Sequence, residues 1–398
     1  MRTGIQIALF LLAFAVSACA AAPAAAEEAP ATAPTSTPSA RATPTLSFER
    51  PPDGADREFS TDFTKHSVPY ADIFSGGPPK DGIPAIDAPT YVSVSEADAW
   101  LAPQEPVILV QVGDAARAYP IQILMWHEIV NDTLGDLPLL VTFCPLCNTA
   151  IAFERTLNGD VLDFGTTGRL RFSNLIMYDR QSESWWQQAV GDAIAGAQTG
   201  AQLTFYPATI VAWEAFRNEF PKGTVLSRDT GFARDYGRNP YLGYDDVNAS
   251  PFLFRGPETP GALPPMARVL TVEKTGEAVA YPYALLEEMR VINDVVGGTA
   301  VVVFWTEGTA SALDASTVAD GRDVGAAVPF VAEVEGRRLT FAHVDDQFVD
   351  VQTGSVWNLL GAATEGELAG KQLAPVVGVN HFWFSWAAFK PETRIYQP

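Results

Sequence analysis

Cysteine is scarce, with three in 398 residues, and Cys19 sits in the N-terminal leader. Two remaining thiols cannot make a disulfide scaffold. Positive charge is also short: 26 Lys+Arg stand against 47 Asp+Glu, a formal net charge of -21. Such a surface repels phosphate backbones, so no nucleic acid partner is expected. The chain has only four histidines, His66, His127, His343 and His381. It contains no Gly-x-Ser-x-Gly elbow, Walker-type loop, His-Glu-x-x-His pair, Gly-x-Gly-x-x-Gly loop after a strand, or Cys-x-x-Cys-His site. The hydrolase, nucleotidase, metalloprotease, dinucleotide and covalent-haem readings lose their usual signatures. Whether the protein is an enzyme stays open.

Long apolar runs are nearly absent. Residues 301–305 are too short to span a bilayer and read as a buried strand. The exception is 5–16, which follows Arg2 and precedes small residues. Residues 1–18 therefore read as an export signal rather than a membrane span. Val16-Ser17-Ala18-Cys19 resembles a bacterial lipobox. Cleavage before Cys19 would expose a thiol for acylation, anchoring the chain to the lipid membrane on its periplasmic or exterior side. An ordinary cleaved signal peptide is the alternative. Residues 19–47, rich in Ala, Pro, Thr and Ser, suit an extended tether.

Abundant Pro, Gly and Trp, at 30, 31 and nine residues, fit a loop-rich body with strands. Residues 48–90 read as an irregular arm laid over it. The spacing then predicts a strand over 106–112, a turn at Gly113-Asp114, and a strand over 116–119. A helix over 120–129 and a strand over 139–143 follow. The pattern returns 162 residues later. Ala118-Tyr119-Pro120 matches Ala280-Tyr281-Pro282, and Asn131-Asp132 matches Asn293-Asp294. Ser184 and Trp186 fall on Ser355 and Trp357; Trp213 and Phe216 fall on Trp386 and Phe389. The expected fold class is α+β and strand-rich, with two diverged copies of one module packed as a pseudo-symmetric body. The modules span 91–222 and 268–396, joined by 223–267. His127 aligns with Met289, and the second copy has no cysteine, so any chemistry is expected in the first.

That chemistry centres on Cys144-Pro145-Leu146-Cys147. The pair follows an apolar strand, as in thioredoxins, but residues 148–155 alternate like another strand and end in the Asn158-Gly159 turn. A helix N-terminus that would activate a thiolate is missing. Structural zinc normally takes four protein ligands, and the histidines lack zinc-finger spacing. His127 precedes the cysteine strand, and Met177 lies downstream. Two thiolates, an imidazole and a thioether form a soft set favouring a copper ion, with zinc as the alternative. Glu128, Asp179, Arg180, Trp186 and Gln187 are the supporting residues expected around these ligands.

Other readings of the same residues remain. Cys144 and Cys147 suit a thiol-disulfide redox pair or a structural disulfide in an envelope interaction protein. His127 and Met177 suit a core equally well.

The segments His127 to Asp132, Cys144 to Ala150, and Met177 to Arg180 with Ser184 and Trp186-Gln187 together resemble the DUF3179 family. Residues 225–236 add to the likeness. That resemblance implies an exported bacterial or archaeal protein with its site around these segments, and it supplies no reaction.

Overall fold

The computed structural model describes residues 45–46, 49–52 and 54–398. The expected export signal, Cys19 and nearly all of the expected tether lie outside them. The described chain is strand-rich with a few short helices. No helix among the described residues is long and apolar enough to cross a membrane.

Pro106–Val112 and Ala115–Pro120 form a hairpin closed at Gly113-Asp114, with Val112 opposite Ala115. Alternation does not describe the first of these strands, because residues 106 to 110 are all buried. Both its faces are covered, so it reads as a continuous apolar run. Pro120, extended at φ -60°, leads into the helix Ile121–His127. This helix ends two residues earlier than its sequence pattern predicts. Glu128 turns into the left-handed region (φ 58°), its N–H bonding Leu124 O. The chain then re-emerges as Ile129–Leu134, a strand hidden from the pattern by the preceding apolar helix.

Ile129–Leu134 pairs with Leu137–Cys144, which pairs with Thr149–Glu154. Between the last two, Pro145–Cys147 makes one 3-10 turn. Asn158 and Gly159 both take positive φ in the next turn, closing the short hairpin Thr156–Leu157 with Asp160–Val161.

A second sheet is built on Phe164–Arg171, Asn174–Asp179, Trp185–Gln187 and Asp192–Ala195. The arm is more regular than its composition suggests. Ile73–Ser75 adds a strand beside Phe164–Arg171, and Lys65–His66 adds one beside Asp192–Ala195.

The C-terminal half runs through Arg268–Lys274, Glu277–Pro282, Tyr283–Met289, Val291–Val296 and Thr299–Thr306. This is the strand, strand, helix, strand, strand order of Pro106–Cys144. The largest buried cluster draws Val107, Leu109, Val211 and Trp213 from one half and Val302, Phe304, Val328 and Phe330 from the other. Residues 227–267 join the halves without a strand or helix.

Candidate functional site

Cys144 closes its strand and Cys147 closes the 3-10 turn, which places both side chains beside the hairpin turn at Phe172-Ser173. That turn joins Arg171 to Asn174 across two residues, and both take positive φ, 55° and 65°. Side chains other than Gly and Asn seldom occupy such positions, so backbone strain is held there. The result is that Ser173 O faces the sulfurs. Cys147 donates to it at 3.5 Å and Cys144 at 3.8 Å. Both cysteines are free, with exposures of 2% and 0%.

Asn174 completes this side. Its amide donates to Cys147 Sγ at 3.5 Å and to Gln188 Oε1 at 2.8 Å. Its own oxygen accepts from Gln187 Nε2 at 2.6 Å and from the Ala189 N–H. Gln187, singled out in the sequence, therefore reaches Cys147 through Asn174. Asn174 and Gln188 themselves escaped notice. Their one signal was position, since both flank segments already quoted for other residues.

The electrostatics favour neutral groups. Burial pushes the Cys144 thiol well above its ordinary value, and neighbouring Cys147 and Glu128 push the same way. Glu128 is carried to the site because its carbonyl accepts from the Phe143 N–H. Burial raises its carboxyl to about 8. From the connecting segment, Tyr241 and Tyr244 stand close enough to feel charge at the cysteines. The Tyr244 hydroxyl donates to Leu146 O, between the two cysteines, at 2.9 Å.

The other expected residues divide between the cysteine cluster and separate places. Both ring nitrogens of His127 are engaged, Nδ1 with Pro84 O at 2.7 Å and Nε2 with the Tyr236 hydroxyl at 2.5 Å. Met177 is fully buried and shares an apolar cluster with Cys144, Cys147 and Trp186. Asp179 accepts from Trp186 Nε1, Ser182 N and Ser182 Oγ, an arrangement that braces its own hairpin. Arg180 turns outward to Asp81 and Asp87.

His381 comes from the far half. Thr149 spends its one hydroxyl hydrogen on Cys147 O, so His381 Nδ1 is the donor to Thr149 Oγ1, at 2.8 Å. This leaves His381 Nε2 buried and unpaired. Among the described residues, no three His, Cys, Asp or Glu side chains converge in a metal-holding group.

No curated protein and no solved structure matches the chain. The family model described as a protein of unknown function (DUF3179) matches residues 80–393, which include every residue of this site. The match covers most of the chain, and the protein belongs to the DUF3179 family.

Proposed function

We propose that this is an exported, lipid-anchored protein that binds a soft metal ion, copper as Cu(I), through Cys144 and Cys147. The observation carrying the reading is two free, buried sulfurs turned toward one carbonyl, with Met177 in the same apolar cluster. A soft d10 ion suits two thiolates in apolar surroundings, whereas structural zinc asks for four ligands. His127 is left out of the ligand set because its ring nitrogens already have partners. Binding would release the two thiol protons, since only thiolates ligate. The Asn174 N–H on Cys147 would then offset part of the new sulfur charge.

Dithiol exchange is the weaker reading. It needs an exposed thiolate of depressed pKa, and here burial and neighbours raise the Cys144 thiol. Elemental analysis of the chain, purified anaerobically without chelator, tests the proposal beside Cys144→Ser/Cys147→Ser. Near-stoichiometric copper, lost in the double variant, is the expected outcome. Absence of metal after anaerobic reconstitution with Cu(I) would sink it.

The same proposal takes the chain as two diverged copies, of which only the first keeps the cysteines. Matching bonds support this. Asn131 exchanges two bonds with Phe164, and Asn293 does the same with Phe341. Asp179 braces Trp186 as Asp350 braces Trp357. Arg290, in the left-handed region at φ 63°, stands where Glu128 stands.

A further inference from the structure

Cys144 and Cys147 are buried, so an ion or carrier reaches the sulfurs only when something over them moves. The connecting segment covering it divides into two unlike parts. Residues 237–245 are fixed to the far half. Asn239, Gly243 and Tyr244 donate backbone bonds to Ser316, Asp314 and Leu313, and Val318 donates to Gly237. Asp245, its side chain fully buried, anchors this part between Arg268, Arg322 and Ser311.

Residues 246–263 are held far more lightly. Among the described residues, their one backbone-to-backbone hydrogen bond is local, from Ala249 N to Asp246 O. Side chains do the rest. Ser173 Oγ donates to Phe252 O at 2.8 Å, and Trp383 Nε1 donates to Pro260 O at 3.1 Å. The Phe254 ring packs edge-on against Phe384 at 5.0 Å. A Cβ on Gly256 would come within 3.1 Å of the Phe172 ring, so this stretch lies directly on the turn that offers Ser173 O to the sulfurs. Phe252 is nonetheless 58% exposed. Segments with few backbone bonds and little buried area open at a fraction of the global unfolding cost.

We propose that residues 246–263 are a flap over the Cys144/Cys147 pair, hinged at the Asp245 anchor and latched by Phe254 and the Ser173–Phe252 bond. Opening frees the Phe172-Ser173 turn and admits the ion or its carrier to the sulfurs. The inference rests on the pair being the working site and does not depend on which ion it takes.

The test needs no metal. The full chain carrying Cys19→Ser, reduced and anaerobic, is reacted with the thiol reagent DTNB, and amide hydrogen exchange is followed in parallel. In the otherwise unaltered chain, amides of 246–263 should exchange well before those of Leu137–Cys144, with thiol labelling also running ahead of those strand amides. Phe254→Ala should speed labelling about tenfold or more, the response to a latch worth about 1.4 kcal/mol or more. Ser173→Ala, which keeps the carbonyl and removes the bond to Phe252, should shift it the same way. Strand protection should be unchanged in both. Labelling that keeps pace with the strand amides, or rates that neither substitution alters, would overturn the flap. If labelling behaves as expected and copper fails to bind, the flap stands and the ion assignment falls.

Discussion

His381 ties the far half of the molecule to the cysteine turn through Thr149, and its ring lies 4.9 Å from that of Trp386. Complete burial lowers its pKa from 6.5 to about 3. The unfolded chain therefore takes up a proton near pH 6.5 that the folded chain refuses until about pH 3. Stability should be complete above pH 6.5 and fall as the pH drops through that window, by up to about 1.4 kcal/mol per pH unit from this residue. Urea midpoints measured from pH 7 to pH 4 should show a shallower acid slope for His381→Gln than for the unaltered chain. Equal slopes would mean the ring is solvated or already paired. None of this was legible locally, because His381 lies 232 positions from Thr149. The Cys-x-x-Cys spacing, by contrast, located the sulfurs directly, since residues so close in sequence must share a turn.

Elements followed their sequence signals where turn chemistry was explicit. Gly113-Asp114 and Asn158-Gly159 both form turns, and the missing helix after Cys147 is indeed a strand, Thr149–Glu154. The helix at Ile121–His127 stops short of its prediction because Glu128 carries no helix-stop signal in the sequence, and only its φ ends the helix. The arm was underread for another reason. Its strands exist only because Phe164–Arg171 and Asp192–Ala195 offer edges to pair with.

Gly168 secures that docking. It sits at φ 68°, and a Cβ there would be 1.9 Å from Pro78 O. Gly168→Ala should cost about 3 kcal/mol or more in urea unfolding, combining left-handed strain with a backbone clash. Early proteolysis near Lys80 should accompany it. Gly231 also has positive φ but open space around it, so Gly231→Ala should cost only about 1 kcal/mol. Equal costs at the two sites would show that the arm is not held at the Pro78 contact.

At the scale of the whole molecule, the proposed export and lipid anchor make a prediction of their own. If Cys19 is acylated, the chain should fractionate with membranes, and Cys19→Ser should move most of it to the soluble fraction. An unchanged distribution would remove the anchor from the proposal.

The sequence by itself determined the strand-rich class, the family and the position of the two sulfurs, because alternation, turn residues and short spacings are local properties of a chain. Tertiary structure alone decided which groups surround those sulfurs. Ser173 O, Asn174, Tyr244 and His381 arrive from other hairpins, from the connecting segment and from the far half. His127, close in sequence, is instead engaged by Pro84 and Tyr236. The physical reason is that a buried polar group must find its partners wherever packing brings them, and those partners need not be near in sequence.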